Sequence, residues 1–126
     1  MEVREATPGD APAMEALVAG DLDADRLVRD RRVIVAESGE ELAGFCSYDT
    51  WNGTVHVSTL VGDRDVVDAL LTEPRRFADR EGLPIEVVVP DGDETLREAV
   101  EAAGFQSAGE GPTFEGEPTR RYRYPD

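Results

Sequence analysis

A single histidine and a single cysteine stand near the middle of a 126-residue chain. His56 lies two residues before Ser58 in the alternating run 54–61, so the two side chains share one face of a strand. An imidazole titrates near neutrality and is a natural group to take a proton from an amine. His56 is therefore the first candidate for a general base, with Ser58 the second catalytic candidate on its face. The competing reading of His56 is a half-exposed strand residue with no chemistry. Cys46 has no identifiable base to activate it and reads as a small buried strand residue. Tyr48, Asp49 and Trp51 precede an Asn-Gly pair and are candidates for lining a pocket, against simple packing across a hairpin. Asp21, Asp23, Asp25 and Asp30 lack the fixed Gly and terminal Glu of a calcium loop and read as a solvated face, so no metal site is expected. The arginines of 120–123 alternate with tyrosine, as in a final strand with Tyr inward and Arg pairing with acidic neighbours.

The elements that hold these residues follow from periodicity. Residues 3–6 read as a first strand, and Asp10 as the N-cap of a helix carrying Met14, Leu17 and Val18 and ending near Gly20. A second, shorter helix takes Leu22, Leu27 and Val28. Strands at 33–37, 42–51 and 54–61 form a meander, and Asn52-Gly53 supplies the positive φ angles of a type I′ turn. Val66, Val67, Leu70, Leu71, Phe77 and Ala78 then fall on one helical face, with Pro74 expected to kink or break it. Residues 83–89 form a dense apolar strand covered on both faces. Asp93 caps a helix with Leu96, Ala99, Val100 and Ala103 on one stripe, and Gly104 ends it. The last part folds as a hairpin with a long loop at 109–118. The order β-α-α-β-β-β-α-β-α-β-β describes a single α/β (α+β) domain over residues 1–126, a mixed sheet with helices on both faces.

Thirteen basic residues against 28 acidic ones leave a net charge of −15, and every basic residue is arginine. A molar-salt cytoplasm favours such a surface, since charge maintains solubility while dense salt screens self-repulsion within about 3 Å. GC-rich coding also replaces Lys with Arg, but it does not account for the twofold excess of acid. The charge argues against nucleic acid as a partner, because that binding relies on clustered cations. The longest apolar stretches are far short of the roughly 20 residues of a membrane span. Glu2 and Arg4 occupy positions where a secretory signal is apolar, so a cytoplasmic location is expected.

This order, with particular residues in place, resembles the GNAT superfamily of N-acetyltransferases. Val3-Arg4-Glu5-Ala6-Thr7 with Asp10 looks like the family's first strand and turn, and Leu42-Ala43-Gly44-Phe45 is similar to its third strand. The run 77–82 followed by 85–89 looks like its third helix and fifth strand, and Ala103-Gly104-Phe105-Gln106 is similar to the end of its fourth helix. The resemblance implies acetyl-CoA as donor and a small-molecule or peptide amine as acceptor. It places the cofactor's diphosphate on the turn Leu60, Val61, Gly62, Arg64, Asp65, Val66 and Val67, at a helix N-terminus. His56 falls near the family's proton-relaying carboxylate, and Tyr48, Asp49 and Trp51 fall beside its acceptor. Three departures stand out. Asp65 and Val67 replace the glycines of the family's diphosphate loop, and Val100 replaces its proton-donating tyrosine. The connection is also about five residues shorter than usual. A GNAT-shaped binding or oligomerisation module without acetyl-CoA is therefore the alternative expectation, with dimerisation through the final strands left open.

Overall fold

Each alternating apolar run becomes a strand and each 3.6-residue stripe a helix in the computed structural model, which describes residues 1–18, 21–113 and 116–124. Strand β1 (Glu2–Glu5) leads through a 3₁₀ turn at Pro8–Asp10 into the short helices α1 (Ala11–Ala16) and α2 (Ala24–Asp30). The meander follows as β2 (Arg32–Ser38), β3 (Glu41–Trp51) and β4 (Thr54–Val61). Then come α3 (Arg64–Glu81), β5 (Ile85–Pro90), α4 (Glu94–Ala102), β6 (Gln106–Glu110) and β7 (Thr119–Tyr124). The strands form one sheet in the order β1-β2-β3-β4-β5-β7-β6, and β4 with β5 is its parallel pair.

Local chemistry sets most boundaries. Asn52 and Gly53 adopt φ of 53° and 75°, so the tight turn between β3 and β4 forms as their residue types require. Asp23, Asp63 and Asp93 each accept a hydrogen bond from the backbone N–H three residues on, opening α2, α3 and α4. Gly82 closes α3 in the left-handed conformation at φ 67°.

The sheet buries two clusters. Cys46, Tyr48, Val55, Val57, Ile85, Val87, Val89 and Tyr122 pack beneath α3 and α4 together with Val67, Leu70, Leu71 and Val100. Val33, Val35 and Phe45 pack on the opposite face beneath Met14 and Ala24. Full burial of a Val, Leu or Phe side chain contributes about 1.5–3 kcal/mol. Strand β5 is covered on both faces, as its apolar run implies, with Ile85, Glu86, Val87 and Val89 all buried.

Three expectations need correction. Of the kink or break expected at Pro74, the break is absent, since α3 runs through it as one continuous helix. The proline is buried on the same face as Leu70, Leu71 and Ala78, and that packing outweighs one missing backbone bond. Helix α1 ends before Leu17 and Val18, while Ala19 and Gly20 lie outside the described residues. Asp10 directly precedes α1, but its side chain caps no α1 amide. Its carboxylate instead receives two hydrogen bonds from Arg4, at 2.8 and 2.9 Å, and one from the Thr7 backbone N–H at 2.7 Å. Arg4 also binds Glu37, tying β1 and the turn to β2. The Arg4 guanidinium lowers the Asp10 pKa to about 2.

Candidate functional site

Strands β4 and β5 begin side by side and then part. Val55, His56 and Val57 lie opposite Ile85, Glu86 and Val87. Beyond that point β5 continues against β7, with Val88 opposite Arg121 and Val89 opposite Arg120, while β4 stays with β3. Ser58–Val61 therefore have no ladder partner on the β5 side. The strand edge facing the gap offers main-chain N–H and C=O groups, which are obligatory hydrogen-bonding groups wherever water is excluded.

A cavity of about 260 Å³ opens at the wide end of this gap, lined by Leu60, Val61 and Gly62 from β4 and its turn. Leu17 and Val18 close it on one side, and Asp93, Thr95 and Leu96 at the start of α4 close it on the other. A second opening of about 220 Å³ lies between α3 and α4, lined by Arg64, Asp65, Asp68, Ala99 and Ala102. Leu17, Val18, Thr95 and Leu96 were not among the candidates. They read as ordinary helix stripes, and only the meeting of α1, α4 and β4 brings them together.

The turn into α3 is pressed tightly onto the sheet. A Cβ on Gly62 would lie 2.5 Å from Val66 Cγ1, and one on Gly44 would lie 2.2 Å from the Val61 carbonyl oxygen and 2.6 Å from Val66 Cγ1. Val66 thus fills a notch between two glycines and is itself buried, as is Val67. The Val66 N–H is bound to the Asp63 carboxylate at 3.1 Å, and the Val67 N–H to the Asp63 carbonyl at 2.8 Å. Asp63, Arg64 and Asp65 are exposed around this helix end.

Near the narrow end of the gap the sheet carries a row of polar residues in register. Asp49 on β3 faces His56 on β4, His56 faces Glu86 on β5, and Glu86 faces Arg123 on β7. Directly opposed residues share a face, with Cβ atoms typically about 4.5–5.5 Å apart. Helices α1 and α2 are short and pack mainly on β2 and β3 on this side, and within the row Glu86 is buried, His56 and Arg123 are half-buried and Asp49 is exposed. Glu86 is 8% exposed, and its carboxylate lies 3.5 Å from Arg121. The Trp51 ring stands 5.9 Å from the His56 ring and is 71% exposed. Ser58, on the same face, shares a 3.0 Å hydrogen bond with the buried Ser47. Glu86 was missed in the sequence because a lone acid inside an apolar strand carries little local signal.

Tyr48 is separated from this group. It is buried on the opposite face of the sheet, where it packs against Phe77 at 6.1 Å. Asp49 and Trp51 stay with His56, so the three pocket candidates divide between two faces. Cys46 is buried, and burial pushes its thiol up to about 12, which keeps it protonated and inert as a nucleophile. Val100 lies on α4 and is fully buried against the core. Among the described residues, no group of three or more metal-binding side chains occurs and no helix is long and apolar enough to cross a membrane.

The fit of an acyl-CoA to these features is divided. The gap and its cavity suit an extended arm that carries amides. The turn at Gly62 does not suit a diphosphate, because the Asp63 carboxylate already holds the Val66 amide and Asp65 adds a second negative charge on the exposed first turn.

No protein-family profile matches the sequence, and no curated protein is similar to it. Solved structures are similar in fold. An acetyltransferase of the GNAT family from Desulfovibrio desulfuricans superposes with a TM-score of 0.77 at 18% identity, covering 97% of this chain and 96% of that one. The aminoglycoside 6'-N-acetyltransferase from Enterococcus faecium gives 0.76 at 17% identity, covering 98% and 96%. The acetyltransferase yncA from Salmonella typhimurium, solved with its cofactor acetyl-CoA, gives 0.75 at 17% identity, covering 98% and 92%. Seven strands in one mixed sheet, parted between β4 and β5 and backed by α3 and α4, give this chain the fold of the GNAT acetyltransferases.

Proposed function

We propose that this protein transfers an acyl group, most simply acetyl, from a pantetheine thioester such as acetyl-CoA to an amine. The observation that carries this reading is the parting of β4 from β5, with a cavity at its open end. A neighbour of the same fold was solved with acetyl-CoA, which favours a thioester donor for this chain as well. The bound thioester supplies an activated carbonyl. The free edge of Ser58–Val61 holds the arm by main-chain hydrogen bonds, and Leu60, Val61 and Leu96 exclude water from it.

His56 takes the proton of the attacking amine as the C–N bond forms and the thioester C–S bond breaks, and the proton passes by way of solvent to the departing thiolate. Asp49 and Glu86, in register on either side, balance the charge the imidazole gains. Trp51 and Asp49 flank the approach of a small-molecule or peptide amine, and Ser58 with Ser47 provides hydroxyls on the same face. With a valine at position 100 in the core, no tyrosine at that position returns a proton. Positioning of donor and acceptor then supplies most of the acceleration. The protein works in a salt-rich cytoplasm.

A second reading has one observation in its favour. The Asp63 carboxylate already occupies an amide at the start of α3, as in a domain that has lost acetyl-CoA and serves for binding or oligomerisation. Calorimetric titration with acetyl-CoA in molar KCl, followed by turnover on a panel of amines, separates the two. Salt is needed because a low-salt failure would only report an unfolded acidic protein. Binding with turnover supports the transferase, and folded protein that binds nothing eliminates it.

A further inference from the structure

We infer that the acyl donor is gripped by its pantetheine arm and not by a nucleotide diphosphate, so that a shorter acyl-pantetheine thioester is bound as well as the full coenzyme. The inference rests on the transferase reading and narrows its donor.

Two regions along the donor's path differ in kind. The gap is made for an uncharged, amide-bearing chain. Ser58–Val61 present an unpaired strand edge, and the cavity beyond it mixes the apolar Leu60, Val61 and Leu96 with the hydroxyl of Thr95. An extended chain laid along such an edge gains main-chain hydrogen bonds in the manner of an added strand.

The region beyond Gly62 is unsuited to two phosphates. Of the amides that open α3 without an intrahelical partner, that of Val66 is already bound to the Asp63 carboxylate. The turn cannot yield readily to make room, because Val66 is locked between Gly44 and Gly62 at distances that leave no space for a Cβ. The opening between α3 and α4 sets the carboxylates of Asp65 and Asp68 against the one guanidinium of Arg64. With Asp63 at the helix end, a diphosphate there would meet three carboxylates and one cation. Screening by molar salt weakens the long-range part of this repulsion and leaves contact-distance repulsion in place. The nucleotide end is therefore left in solvent.

The test is calorimetric titration of the folded protein in molar KCl with acetyl-CoA and with acetyl-pantetheine, which carries no phosphate. The expected dissociation constants lie within about tenfold of each other. Arg64→Gln, at an exposed position away from the gap, is expected to leave the acetyl-CoA constant within about twofold. Acetyl-CoA binding more than about tenfold tighter than acetyl-pantetheine, or a loss of about tenfold in Arg64→Gln, overturns the inference while the transferase reading stands. Binding of neither thioester by folded protein overturns both.

Discussion

His56 is half-buried, with a carboxylate in register on each neighbouring strand and an exposed indole within 6 Å. The proposed transfer reaction gives this side chain the role of proton acceptor. Replacing it with Gln is expected to lower kcat/KM by about 100-fold or more while thioester affinity, read by calorimetry, changes little. An unchanged kcat/KM would remove His56 from the mechanism. Gly44 makes the opposite kind of prediction. A methyl group there would collide with the Val61 carbonyl and with Val66, so Gly44→Ala should cost about 2–4 kcal/mol in urea unfolding. The type of His56 and its strand face are plain in the sequence, because alternation is a local pattern. The partners Asp49 and Glu86 are not. Glu86 is 30 positions further along the chain, and nothing between the two residues states which strand lies beside which or in what register.

Among the elements, β1 and the turn before α1 depend on charge more than on packing. Arg4 joins Asp10 and Glu37, and Asp10 has a pKa of about 2 in the folded protein against an ordinary value of 3.8. A lowered carboxylate pKa stabilises the fold above the unfolded value, and that contribution is lost as pH falls through the folded value. The stability difference between wild type and Asp10→Asn should be constant at neutral pH, on the order of 1 kcal/mol after allowance for solvent screening, and shrink as pH drops from about 4 to about 2. Denaturant unfolding across that range reads it directly, and a pH-independent difference would refute the assignment. Asp10 was recognisable as a residue at a helix start, since Asp is common there. Its real bond reaches back to Arg4 because the strand before it returns along the same edge. Pro74 teaches the same lesson from the other side. Local chemistry argues for interruption, yet a buried face of Leu70, Leu71 and Ala78 carries the helix through.

For the whole molecule, a net charge of −15 spread over 126 residues implies strong self-repulsion in dilute buffer. Raising KCl from about 0.1 to 2 M should raise the Tm by on the order of 10 °C, followed by circular dichroism. A flat response would attribute the arginine-only composition to coding bias and not to salt. The order of strands and helices, the Asn52-Gly53 turn and the Asp93 cap were legible in one dimension because each depends on residues a few positions apart. The parting of β4 from β5, the cavity at its end, and the locking of Val66 between Gly44 and Gly62 arise from contacts among segments distant in the chain. Such contacts are chosen by packing and sheet register, which act only once the chain has closed on itself.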